Sequence, residues 1–241
     1  MKTYADAEME LAEFSPFQAE DTEALQRRLR AARAAGPIAK GAFGPLVIRH
    51  AAVSELLHDK RLRGPGMDIA RLSGIPEDSR SWRRQEQILL FMEGEDHHRL
   101  RRLVAKAFTP RAVDALRPYT RSVIAGLVDQ VFDDGRCDAV PMLSNPFPIP
   151  VICTLVGIEP DRVDDMSRWA GSILLALRLD AGSFLNEMEQ AQLELDEYID
   201  SLIAQRRRTP RDDLLSRLIA VEEAGDRLSI DELKAVVAMM L

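Results

Sequence analysis

From about residue 95 to the end of the chain, apolar residues recur at helical spacing, and every interruption is short and marked by proline or glycine. That pattern leaves little room for a sheet. Convincing β material is confined to Pro37–Lys40 and Leu46-Val47-Ile48, two short runs joined through Gly41 and Gly44, which predict a hairpin over residues 37–49. Before it, Thr22–Ala35 is a charged amphipath stopped by Gly36-Pro37, and after it Ala51–His58 predicts a short helix. Residues 63–91 show no period and read as an irregular connection. The fold class expected is mainly α with one small N-terminal β-hairpin, a single domain over 1–241 with an extension at 1–20 and a helical part at 96–241.

Helix boundaries follow from local punctuation. Asp96–Phe108 ends at Thr109-Pro110, and Pro118 suits the first turn of a helix running to about Phe132. Leu143–Val156 is almost wholly apolar, which predicts burial on all sides, with Pro146, Pro148 and Pro150 confining the regular part to about Val151–Val156. Asp161–Arg178, Phe184–Arg208 and Asp212–Glu222 are the next helices, and Arg206-Arg207-Arg208 with Arg211 reads as a solvated turn. Ser229-Ile230-Asp231-Glu232 is a capping box. It opens a segment, Leu233 to Leu241, that is apolar on every side and carries no stop signal, so the chain is expected to be the front part of a longer protein.

Composition excludes some functions. A net charge of −7 and 5% aromatic residues argue against a nucleic-acid binder. The longest apolar run falls far short of the ~20 residues that span a membrane. Cys137 and Cys153 cannot build a secreted-type disulfide framework, so a reducing, cytoplasmic setting is expected. His50, His58, His97 and His98 have no partners at metal-ligand spacing, and no nucleophile elbow or phosphate loop occurs.

The helix around His97 carries the functional signal. At about 100° per residue, Leu100, Leu103, Val104, Ala107 and Phe108 share one arc, while Arg99, Arg102 and Lys106 lie opposite. Arg101 stands on the margin of the apolar arc, one turn after His97. A guanidinium there requires an anion: a carboxylate elsewhere in the fold, or the carboxylate or phosphate of a ligand.

The segment Glu93-Gly94-Glu95-Asp96-His97-His98-Arg99-Leu100-Arg101-Arg102-Leu103-Val104, continuing through Ala107-Phe108-Thr109-Pro110-Arg111, resembles the C-helix signature of soluble bacterial cytochromes P-450. Gly135, Asp138, Pro148, Pro150, Val151, Ile152, Leu155, Gly157 and Ile158 match a second family segment, and Ser229–Leu241 is similar to the start of the central I helix. Glu93-Gly94-Glu95 departs from the family's usual D-P-P at the helix entrance. The resemblance implies the N-terminal portion of a haem-thiolate monooxygenase, inserting one oxygen atom from dioxygen into an apolar small molecule. It further implies heme b as cofactor, with His97 and Arg101 holding its propionates, and Arg99, Arg102 and Lys106 docking a ferredoxin or flavodoxin-type electron donor. Ile88, Leu89, Leu174 and Leu175 are the substrate-pocket expectations. By the same resemblance the axial cysteine falls beyond Leu241, so no catalytic residue is expected in this chain and the chain alone is expected to be inactive. The competing reading is a stand-alone helical interaction protein that keeps this architecture without haem.

Overall fold

The computed structural model describes residues 21–41, 44–223 and 228–241. The extension expected at 1–20 and the tip of the hairpin loop, 42–43, lie outside the described residues. The described residues fall into two compact units that divide between Arg63 and Gly64.

In the first unit, α1 (Thr22–Ala35) starts at Asp21, whose carboxylate accepts the Ala24 N–H at 2.6 Å. Strands β1 (Ile38–Gly41) and β2 (Gly44–Val47) pair antiparallel, with Ile38 opposite Val47 and Ala39 opposite Leu46. Ala39 and Ile48 bury beside Ala32, and the Arg33 guanidinium donates to the Ile48 carbonyl at 2.6 Å. The hairpin sits where the glycines require a turn. A short helix, α2 (His50–Leu56), follows with none of its residues buried.

In the second unit, the stretch expected to be irregular contains two short helices, α3 (Asp68–Leu72) and α4 (Arg80–Glu86). Neither helix shows an apolar period in sequence, and α4 owes its start to Ser79, whose hydroxyl accepts the Trp82 N–H at 3.0 Å. Trp82 fills a small core with Ala70, Ile75, Ala181 and Met188. Two loops close over that core backbone to backbone: the Gly182 N–H donates to the Ser73 carbonyl at 2.8 Å. A Cβ on Gly182 would lie 2.2 Å from the Gly74 carbonyl oxygen, so only glycine allows this approach.

The longer helices are α5 (Gly94–Ala107), α6 (Pro110–Ala115), α7 (Arg117–Phe132), α8 (Pro148–Val156), α9 (Val163–Leu174), α10 (Leu185–Arg208), α11 (Leu214–Glu223) and α12 (Ile230–Met240). α9 packs on α10, and α11 packs on both α5 and α10. Leu100, Leu103, Met166, Leu195, Leu214, Leu218, Leu233 and Val236 meet in one large core. Pro148 and Pro150 occupy the first turn of α8, where backbone N–H groups have no helical acceptor, so the helix begins earlier than Val151. The expectation that Leu143–Val156 is buried on all sides is corrected. Cys153 and Val156 are buried, Ile149, Ile152 and Leu155 are partly buried, and Val140 and Met142 just upstream are exposed, because α8 packs through one side.

The reading of Arg206 as part of a solvated turn is also corrected, while Arg207, Arg208 and Arg211 are exposed. Arg206 is fully buried at the end of α10. Its Nε donates to Asp213 Oδ2 at 2.6 Å and its Nη2 to the Gly157 carbonyl at 2.6 Å. Asp213 in turn accepts the Ser216 N–H at 2.8 Å, capping α11. Gly157 ends α8 at φ +94°, and a Cβ there would strike Asp213. Arg206→Leu leaves the buried Asp213 carboxylate without its counter-ion and the half-buried Gly157 carbonyl without this donor, and is expected to cost about 3–5 kcal/mol. Urea denaturation of the two chains measures this, and an unchanged midpoint refutes it.

Candidate functional site

Helix α5 begins at Gly94, whose φ of +66° sets the entry, and carries Glu95 and Asp96 in its first turn, where carboxylates favour the helix dipole. It stops because the next turn belongs to α6: the Thr109 hydroxyl accepts the Ala112 N–H at 3.2 Å and Pro110 occupies the first helical position. Leu100, Leu103, Val104 and Ala107 are buried, as the helical arc requires, and Phe108 is half-buried.

The polar residues of α5 separate into distinct environments. His97 is half-buried, with its ring edge-on to His98 at 5.6 Å between centroids. His98 is exposed and its Nδ1 lies 2.6 Å from the Gly94 carbonyl. Arg101 is exposed and makes no hydrogen bond or ion pair with any of the described residues. The protein-carboxylate partner weighed for Arg101 is therefore absent among them. Arg102 and Lys106 are exposed. Arg99 differs: it is half-buried and ion-paired with Glu232 at the start of α12. Glu232 is the acid of the expected capping box, in which the Ser229 hydroxyl accepts the Glu232 N–H at 3.0 Å and Glu232 Oε2 accepts the Ser229 N–H at 2.8 Å.

An apolar cavity, partly open to solvent, lies among α4, α9, α10 and α12. Ile88, Phe91, Ile173, Leu174, Leu195 and Met239 line it. Of the four expected pocket residues, Ile88 and Leu174 are there, whereas Leu89 leans on the large core and Leu175 on the small one. Leu89 and Leu175 each stand about 100° round their turn from Ile88 and Leu174, and here that step carries them to the neighbouring cores. Phe91, Ile173 and Met239 escaped sequence reasoning, as did a polar wall formed by Arg84, Gln85, Gln192 and Asp196. A signal existed for two of these. Gln192 and Asp196 fall on the same helical stripe as Met188, Leu195 and Ile199, an anomaly for polar residues.

Neither cysteine joins α5 in this site. Cys137 is exposed, and Cys153 is buried in the large core, where burial pushes its thiol up to about 11. Among the described residues, no cluster of three or more histidine, cysteine or acidic side chains is arranged to hold a metal ion, and no helix is long and apolar enough to cross a membrane.

No protein-family model matches the chain. Individual proteins do. It is 37% identical over 190 residues to the mycinamicin IV hydroxylase/epoxidase of Micromonospora griseorubida, covering 78% of this chain and 45% of that protein. It is 36% identical to the 6-deoxyerythronolide B hydroxylase of Saccharopolyspora erythraea, over 79% of this chain and 47% of the relative. Among solved structures, P450BioI bound to an acyl carrier protein superposes with a TM-score of 0.73 at 26% identity, over 88% of this chain and 55% of that one. CalO2 shares the fold with a TM-score of 0.83 at 24% identity, over 95% of this chain and 58% of its own. The fold is thus that of the cytochromes P450, mainly helical with one N-terminal hairpin. The chain belongs to the cytochrome P450 superfamily and spans about half the length of the curated relatives it matches.

The two thiols are expected to separate chemically. At pH 8, a maleimide should label Cys137 within minutes, while Cys153 reacts only once the core is opened by denaturant. Because its folded-state pKa is raised, Cys153 remains a thiol throughout the neutral range and forms thiolate only as pH rises toward 11. Mass spectrometry of labelled peptides checks this, and rapid native labelling at Cys153 contradicts it.

Proposed function

We propose that α5 is the haem-anchoring helix of a haem-thiolate monooxygenase that inserts one oxygen atom from dioxygen into an apolar small molecule. The observation that carries this reading is Arg101: a fixed cation beside the apolar edge of a helix, with His97 one turn before it and no carboxylate partner among the described residues. Two cationic or neutral N–H donors on one face match the two oxygens of a propionate, and a planar guanidinium suits a carboxylate better than an ammonium does. The residues present therefore fit a haem b carboxylate.

A haem held there supplies dioxygen activation and oxygen-atom transfer. The chain's own residues have simpler tasks. His97 and Arg101 bind and orient the propionates. The apolar cavity lined by Ile88, Leu174 and their neighbours holds the substrate and excludes water. Cys153, buried as a thiol, is not assigned as axial ligand, and no catalytic residue is assigned within this chain. Electrons come from a ferredoxin or flavodoxin-type donor, whose acidic surface complements the exposed Arg102 and Lys106. Arg99 is set apart from that docking role by its ion pair with Glu232.

Arg101→Ala removes a charge-assisted contact worth on the order of 1.5–3 kcal/mol, so haem retention is expected to fall at least about tenfold. Arg102→Ala should leave haem uptake unchanged and weaken donor binding. Haem titration followed at the Soret band measures the first effect, and donor titration at two ionic strengths the second. Equal haem affinity in the two variants removes Arg101 from the cofactor site. A longer, haem-loaded chain that carries the expected axial cysteine, and whose ferrous–carbon monoxide spectrum still lacks the thiolate-type band, removes the monooxygenase reading.

A further inference from the structure

The polar wall of the apolar cavity lies outside the chemistry proposed above, and its hydrogen bonding is incomplete. It is built where α4 crosses α10, with Arg84 and Gln85 on one helix facing Gln192 and Asp196 on the other. These side chains are deeply buried: Gln85 is 2% exposed, Gln192 3%, and Arg84 and Asp196 8%. Asp196 accepts Arg80 Nη1 at 3.3 Å and also pairs with Arg84 Nη2. That leaves four fully buried atoms with no hydrogen-bond partner among the described residues: Arg84 Nη1, Gln85 Nε2, Gln85 Oε1 and Gln192 Oε1. Each unpaired buried polar group costs about 1–3 kcal/mol, and folded proteins contain few of them. Four on one wall of one cavity call for a ligand.

We propose that these atoms form a polar subsite that recognises a neutral hydroxy-carbonyl group at one end of an otherwise apolar substrate. The inventory selects the chemistry. Arg84 Nη1 and the Gln85 amide nitrogen are donors, which a carbonyl oxygen satisfies; the two glutamine oxygens are acceptors, which a hydroxyl satisfies. Rotating either amide exchanges its oxygen and nitrogen but keeps both kinds of group in the site. A hydrocarbon leaves all four atoms unpaired. A carboxylate satisfies the donors, leaves both glutamine oxygens without a proton to accept, and lies near the Asp196 charge. The apolar remainder of the ligand covers Ile88, Ile173, Leu174 and Leu195.

This inference rests on the cavity being the substrate pocket, and binding can be measured without turnover. Calorimetric titration of the chain, haem-free and haem-loaded, with methyl 3-hydroxydecanoate, methyl decanoate and 3-hydroxydecanoate isolates the hydroxyl and the charge in turn. The hydroxy ester is expected to bind at least about tenfold more tightly than either of the other probes. Gln85→Leu and Gln192→Leu should each abolish that preference, bind methyl decanoate at least as well as the parent, and melt no lower, since each removes unpaired buried atoms. Equal affinity for the three probes, no binding of any of them, or a preference that survives both substitutions overturns the subsite. Failure of a longer chain carrying the expected axial cysteine to take up haem, with the preference intact, sinks the monooxygenase reading alone, and normal haem uptake without the preference sinks the subsite alone.

Discussion

A single buried guanidinium holds the helical unit together. Arg206 joins the end of α10 to the loop leaving α8 and to the start of α11, and its donors meet the Asp213 carboxylate and the Gly157 carbonyl while it is wholly removed from water. The desolvation cost of such a charge is met only when geometry and secondary hydrogen bonds are good, and here Asp213 also caps α11 through the Ser216 N–H. Helix α11 is the element on which α5 rests. The orientation of α5 therefore depends on an ion pair that lies outside the proposed site.

The same logic orders the charges on α5. One arginine, Arg99, is used structurally, tying α5 to the capped start of α12 through Glu232, whose other oxygen already serves the capping box. Two residues on, Arg101 faces away from any described carboxylate and is free to meet an anionic ligand. Residues of one type in one short helix thus divide into a fastener and an exposed cation with no ion pair among the described residues. The separation arises from the 100° helical step and from where α12 places its acid.

Much of this was readable from local pattern. The buried arc of α5, its end at Thr109-Pro110, the hairpin and the capping box at Ser229 each depend on chemistry within a few residues, and each stands where the pattern put it. Short-range signals failed where burial is decided by distant partners. Arg206 continues the helical stripe of Ile199, Leu202 and Ile203 while Arg207 and Arg208 are exposed, but spacing alone does not say which anion it meets. Helix α4 shows no apolar period in sequence, and its buried Arg84 and Gln85 look like any surface residues until α10 lies across them. Leu175 and Leu174 are indistinguishable as residues but serve different sides of their turn.

Helix starts, stops and apolar faces are consequences of backbone hydrogen bonding and of side chains within one turn, which is why amino-acid order suffices for them. Which polar groups lose water, and which of those lose it without gaining a partner, depends on residues brought together from more than 100 positions apart, as Arg84 and Asp196 are. Desolvation is a property of the packed neighbourhood and not of the residue. The fold and the apolar face of α5 could accordingly be read along the chain, while the buried ion pair and the polar wall of the cavity came into view only with the helices assembled.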